Sequence, residues 1–294
     1  MPERVFFRIL LRVTLPRWEK GKRVKQRLHF ISGLPRSGST LLAALLRQNP
    51  RFHAGMSGPL GGMFGALLAN MSQANEFSVF IHDDQRRRVL KAVTDAYYAD
   101  NTAAVIFDTN RGWCARMDAL AELYPDSRVI ACVRHMPWII DSIERLVCNN
   151  AFSPSSIFNY SAGGTVYTRA NGVTGPEGLV GYAYDALKQA FYGAHAGKLM
   201  LVQYETLTSD PARVLKAVYD FIGEPASKHD FNHVEYDAES FDTRTGTRGL
   251  HHVRPKIEPP RDTTILPPDL FKRYEQDAFW RNPEVFNPHA VTIV

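Results

Sequence analysis

Residues 30–47, FISGLPRSGSTLLAALLR, join an apolar run of strand type to a loop bounded by Gly33 and Gly38 and then to an amphipathic helical pattern. That order sets the backbone N–H groups between Gly33 and Thr40 around one oxyanion, with the partial positive charge of the helix N-terminus behind them. Glycine at 33 and 38 lets the main chain approach an anion closely. The separation of the two glycines is that of the nucleotide-binding P-loop G-x-x-x-x-G-K-S/T, but Ser39 stands where the lysine that reaches the β- and γ-phosphates belongs. The loop is therefore suited to one phosphate group. The main chain around Pro35, the Arg36 guanidinium and the hydroxyls of Ser37, Ser39 and Thr40 supply the donors, without the metal-linked machinery of triphosphate chemistry.

The stretch GLPRSGSTLL resembles the 5'-phosphosulfate loop of sulfotransferases that use 3'-phosphoadenosine 5'-phosphosulfate (PAPS). It is most similar in style to tyrosylprotein and carbohydrate sulfotransferases, whose loops read P-R-S-G-T-T. A second segment strengthens the likeness: residues 128–133, RVIACV, read as a strand ending in Arg134, and Ser142 lies eight residues on in a helical segment, 137–147. In the family an arginine and a serine so placed grip the 3'-phosphate of PAPS, a planar fork and a hydroxyl donor on one anion. A third segment, residues 199–223 (LMLVQYETLTSDPARVLKAVYDFIG), resembles the family's Y-E-x-L stretch. It reads as strand, turn and amphipathic helix, with Ser209 or Asp210 as N-cap and Pro211 at the first helical position. Tyr204 is either a cofactor contact or a tyrosine that holds the strand end. The resemblance spans about residues 28–224. It implies a P-loop-type α/β fold, a mainly parallel sheet with helices on both faces. It also implies transfer of the sulfuryl group of PAPS to a hydroxyl acceptor, releasing adenosine 3',5'-bisphosphate, with no metal expected.

Such a transfer needs a base for the acceptor proton and positive charge for the sulfuryl oxygens and the leaving phosphate. Residues 108–113, DTNRGW, follow an apolar run at 104–107 and are the candidate catalytic segment. Relatives carry K-T-H or N-K-D-P in the comparable position, and neither is present. Asp108 is a candidate base, with a helix N-cap as its alternative role; Asn110, Arg111 and Arg36 are candidates for charge stabilisation. Tyrosylprotein sulfotransferases carry a catalytic glutamate after the first helix, where this chain has Ala54, Gly55, Met56 and Ser57. His53, with an ordinary pKa of about 6.5, competes with Asp108 for the role of base. Arg248 and Gly249 complete the 3'-phosphate site if they match the R-K-G loop of cytosolic relatives; otherwise they form a solvated basic loop. Residues 55–71 are apolar and rich in small side chains, where the family builds its acceptor wall, so a hydrophobic or amphiphilic alcohol or a phenol is expected. Residues 162–178, with five glycines, are a mobile lid or a long surface loop.

The elements that must hold these groups follow from periodicity. Strands are expected at 28–31, 104–107, 128–133 and 199–203, and helices at 61–71, 85–98, 114–124, 179–196 and 269–279. Strand runs alternating with helices give a parallel sheet covered on both faces, with ligands beyond the strands' carboxyl ends. That rule gathers residues 33–40, 108–111, Arg134 and Tyr204 into one cluster. The chain has 294 residues, 45% of them hydrophobic, enough for a single domain over 28–294. Three cysteines, Cys114, Cys132 and Cys148, have no metal-like spacing and no even pairing, as expected of a cytoplasmic protein. Of the net charge of +5, residues 1–27 carry +7 and the remainder −2. The basicity is thus an N-terminal arm. There Arg4, Arg8 and Arg12 face one way and Val5, Phe6, Ile9, Leu10 and Val13 the other, a pattern for peripheral contact of residues 1–20 with an anionic membrane, or for a helix docked on the protein's own core. No nucleic-acid partner is expected. Two other classes fit parts of the pattern: a non-catalytic binder of PAPS or its desulfated product acting as a membrane-associated adaptor, and a P-loop kinase, which the missing lysine disfavours.

Overall fold

Neighbouring residues of the central strands bury into two different cores, and this accounts for the layered architecture. Phe30, Val129, Ala131, Val133, Leu199 and Leu201 face one core, while Ile31, Ile130, Cys132, Met200 and Val202 face the other. With both faces apolar, the sheet has to be covered twice. The structure, a computed structural model, describes residues 26–73, 75–152, 164–259, 263–282, 287 and 290–294. The basic arm before Gln26 lies outside the described residues.

Among them the chain runs β1 (Arg27–Gly33), α1 (Ser39–Leu46), β2 (Phe52–Ala54), α2 (Leu60–Asn70), α3 (Asp83–Tyr97), β3 (Val105–Thr109), α4 (Met117–Leu123), β4 (Val129–Val133), α5 (Met136–Asn149) and α6 (Val166–Thr174). It continues as α7 (Leu179–Tyr192), β5 (Leu199–Gln203), α8 (Tyr204–Ser209), α9 (Pro211–Ile222), α10 (Glu239–Arg244), α11 (Pro268–Arg273) and β6 (Thr292–Ile293). The six strands form one sheet in the order β2-β3-β1-β4-β5-β6, and every pairing is parallel. This is the α/β architecture expected from the strand and helix pattern. Strand order reverses between β1 and β4, so the loops that leave these two neighbours part and open a crevice at their carboxyl ends. Arg36 follows β1 and Arg134 follows β4.

One core packs α5 and α7 on the sheet through Ile139, Ile143, Leu146, Val180 and Leu187; the other packs α1 and α9 through Leu42, Leu45, Val214, Leu215 and Val218. Burying a side chain such as Leu42, which is 0% exposed, contributes about 2 kcal/mol. Helix α9 starts at Asp210, whose carboxylate accepts the Arg213 N–H, continues with Pro211 in its first turn and stops at Gly223 with φ 66°. No helix among the described residues is long and apolar enough to cross a membrane.

Four readings of the sequence change. The helix expected at 114–124 is split into a 3-10 turn, Arg111–Arg116, and α4, because the Ser32 hydroxyl bonds both the Arg111 carbonyl at 2.9 Å and the Cys114 N–H at 3.2 Å. The segment 162–178, read as a lid or surface loop, contains α6 with Ala170 and Val173 buried, although 162–163 lie outside the described residues. Gly178 serves packing: a Cβ there would stand 2.3 Å from the Gly172 carbonyl. The helix expected at 269–279 shortens to α11. Strands β2 and β6, three and two residues long at the sheet edges, are too short for a periodic signal.

His29 lies buried in β1, its Nδ1 accepting the Arg128 N–H at 3.1 Å and its Nε2 unpartnered. Burial, with Arg27 and Arg128 adding repulsion, lowers its pKa from 6.5 to about 4. The unfolded chain takes up this proton near 6.5 and the folded chain only near 4, so the stabilisation is complete above 6.5 and lost as pH falls towards 4. Urea unfolding is expected to show stability falling by roughly 3 kcal/mol across that interval through this group, with a shallower fall in His29→Asn.

Candidate active site

The glycine loop is forced into shape by what lies directly beneath it. Gly33 has φ +98°, and a Cβ there would stand 2.2 Å from the Cys132 carbonyl, so the chain leaves β1 pressed against β4. Leu34 N–H then bonds that same carbonyl at 2.8 Å. Arg36 adopts φ 56°, an unfavourable conformation for a non-glycine residue. Gly38, at φ +88°, rests on the Tyr204 ring, whose Cδ2 would be 2.7 Å from an added Cβ. The first amide of the helix to bond back is Leu42 N–H, to the Gly38 carbonyl at 2.9 Å; the amides before it have no acceptor within the helix. Ser39 and Thr40 line the cleft above the loop. Gly33, Pro35 and Ser37 shape the turn from below, with the buried Ser37 hydroxyl bonded to the Pro35 carbonyl at 3.3 Å.

Above the crevice three arginines converge. Arg36 donates through Nε to the Ser142 hydroxyl at 2.9 Å and through Nη1 to the Leu250 carbonyl. Arg134 donates to the Arg36 carbonyl at 3.4 Å and lies 4.4 Å above the Tyr204 ring, a cation–π contact. Arg111 reaches the same cleft from the end of β3. Among the described residues the buried Nε atoms of Arg111 and Arg134 have no hydrogen-bond partner. Among the described residues none of the three pairs with a carboxylate, because those nearby are engaged elsewhere: Asp141 with Arg145 at 2.7 Å, Asp242 with His251 at 2.6 Å, Glu205 with Arg281 at 2.7 Å. Burial lowers Arg36 to about 10, with Arg134 as the next cause, and lowers Arg111 to about 10; it also lowers Arg134. All three stay charged at neutral pH. The cleft holds about 290 Å³ and is lined by these arginines, Ser142, Tyr204 and residues 249–254 and 256–259. A concave site with surplus positive charge and idle donors fits an anion with more than one phosphate group.

Arg111 also borders a second cleft, of about 410 Å³, with Gly61, Gly62, Asn110, Arg116 and Tyr182 on its walls. Asn110 caps the 3-10 turn by accepting the Gly112 N–H at 2.9 Å. Asp108 does not act as that cap. Both its oxygens are taken, by Tyr98 Oη–H at 2.6 Å and Trp113 Nε1–H at 2.8 Å, it is 2% exposed, and it borders neither cleft. Burial raises its pKa. Asp108 therefore anchors Trp113 under the loop, and the reading of it as an open base is corrected. His53 is corrected too: it is exposed on β2 and borders a separate depression beside residues 100–104.

Gly249 lines the arginine cleft, while Arg248 is exposed and outside its lining, so of that pair only the glycine belongs to the site. The sequence reading stopped two residues short of the side chain that does enter, His251. Its partner Asp242 lies nine positions earlier, at no helical or strand period; the positive φ of Gly246 and Gly249 turns the chain back to join them. No periodic signal marks such a pair.

Gly38→Ala is expected to lower stability in urea by about 2 kcal/mol, from its positive φ and the displaced Tyr204 ring.

A sulfotransferase family model matches residues 29–228. The sulfotransferase domain from the curacin biosynthetic pathway superposes with a TM-score of 0.50 at 15% identity, covering 91% of this chain and 95% of that one. The sulfotransferase domain of a Synechococcus olefin synthase gives 0.48 at 19% identity, covering 88% and 91%. The first of these likenesses concerns the fold. No curated protein sequence matches the chain. With the family match covering more than half of its length and beginning on the strand that carries the glycine loop, the chain belongs to the sulfotransferase family.

Proposed function

We propose that the protein transfers the sulfuryl group of PAPS to a hydroxyl of an alcohol or phenol, releasing adenosine 3',5'-bisphosphate. The observation that carries this reading is the trio Arg36, Arg111 and Arg134 at the mouth of the glycine loop, without a carboxylate among them and with two buried Nε donors idle. Two phosphate groups at opposite ends of one nucleoside would neutralise that charge. The first-turn amides of α1 with Ser39 and Thr40 suit the 5' end, and Arg134 with Ser142 suits the 3'-phosphate. Arg36 and Arg111 would face the sulfuryl oxygens, where negative charge builds as the bond to the 5'-phosphate breaks. The acceptor would enter by the second cleft, which meets the first at Arg111 and has α2 as its small-residue wall. In-line placement across that junction supplies much of the remaining rate.

Arg134→Ala is expected to weaken adenosine 3',5'-bisphosphate binding by about 10- to 100-fold, the loss of one charge-assisted contact. Adenosine 5'-monophosphate, which lacks the 3'-phosphate, is expected to bind the variant and the wild type alike. Calorimetric titration of both nucleotides checks this. Equal loss for the two would reject the assignment of Arg134 to the 3' end, and absence of binding to the wild type would reject the donor.

A further inference from the structure

We infer that His251, oriented by Asp242, is the general base that takes the proton from the acceptor hydroxyl. The inference rests on the sulfuryl-transfer reading and supplies the base which neither Asp108 nor His53 provides.

Asp242 is 3% exposed and grips His251 twice: one oxygen meets the ring Nδ1 at 2.6 Å, and the other accepts the His251 main-chain N–H at 2.8 Å. The carboxylate therefore holds the proton on Nδ1 and turns the lone pair of Nε2 outward. Among the described residues no group hydrogen-bonds to Nε2, and the ring lines the arginine cleft. A grip of this kind fixes both tautomer and orientation, the task the third group performs for a catalytic imidazole.

The charges around the ring come from three elements: Asp242 on α10, Arg36 on the loop after β1 and Arg111 on the 3-10 turn after β3, while Phe241 packs edge-on at 5.5 Å. Burial is the largest influence and lowers the pKa of His251; Asp242 opposes it and the two arginines reinforce it. The imidazole is thus neutral, and able to accept a proton, at neutral pH. In the step, the acceptor oxygen forms its bond to sulfur while its proton passes to Nε2. The bond from sulfur to the 5'-phosphate oxygen breaks, and its electron pair stays on that oxygen. The products are the sulfate ester, adenosine 3',5'-bisphosphate and an imidazolium that later releases its proton to solvent.

The test uses the full chain, radiolabelled PAPS and three acceptors: 4-nitrophenol, 1-octanol and a tyrosine-containing peptide. His251→Asn, which keeps a donor towards Asp242, is expected to reduce kcat by about 100-fold or more, with adenosine 3',5'-bisphosphate affinity within about twofold of the wild type. The wild-type kcat/KM for PAPS, which reports the free enzyme, is expected to rise with pH through a midpoint below 6.5, and Asp242→Asn to move that midpoint lower still, since a carboxylate stabilises the imidazolium. A merely structural contact would not move the limb. His251→Asn with near-normal kcat, or with a tenfold loss of nucleotide affinity, would overturn the base role; the second result would make His251 a phosphate ligand. A wild-type limb absent below 6.5 would overturn it without any variant, should the variants not fold. Wild-type protein that binds the nucleotide yet sulfates none of the acceptors would overturn the transfer reading, and the base with it.

Discussion

Mutual repulsion among three guanidiniums is the constraint on which this site depends. Arg36, Arg111 and Arg134 share one cleft while the neighbouring carboxylates Asp141, Asp242 and Glu205 are bound elsewhere, so among the described residues the cleft concentrates positive charge that no carboxylate pairs with directly. Left to themselves, side chains of this kind turn to solvent. They stay because their bases are fixed by rigid elements: Arg111 on a turn tied down by Ser32, Arg134 on the Tyr204 ring, Arg36 between Ser142 and the Leu250 carbonyl. The strain at Arg36, φ 56°, falls at the centre of this arrangement, where stored strain is usually linked to ligand binding.

The sheet converts sequence-distant segments into one site. Parallel strands point their carboxyl ends the same way, and the reversal of strand order between β1 and β4 opens the crevice there. Gly33 brings the loop within contact of the Cys132 main chain, and Gly38 brings α1 onto Tyr204. Tyr204 thus links the loop to Arg134, and Glu205 beside it accepts the His135 N–H at 3.2 Å, setting the start of α5, which carries Ser142. The two neighbouring residues Tyr204 and Glu205 couple three parts of the site through a ring face and a carboxylate.

Much of this was legible in the chain. The four inner strands announced themselves as apolar runs because both faces of a parallel sheet are buried, and the glycine loop could be read because its backbone conformation demands particular residues. Arg134 and Ser142 were named through the family resemblance, and both line the cleft. The catalytic groups were less visible. Asp108 looked available in sequence, but its environment, Tyr98 and Trp113, is created by tertiary packing. Asp242 lies on the short helix α10 and His251 in the irregular chain that follows it, where no period tells which side chains meet. The edge strands β2 and β6 escaped for a related reason, since two or three residues cannot display an alternation.

A crystal structure with adenosine 3',5'-bisphosphate bound addresses the central claim most directly. The account predicts the 3'-phosphate against Arg134 and Ser142, the 5'-phosphate on the main-chain amides at the start of α1, and the Nε2 of His251 facing the 5' end. A nucleotide bound away from the three arginines, or one whose 3'-phosphate touches neither Arg134 nor Ser142, would contradict it.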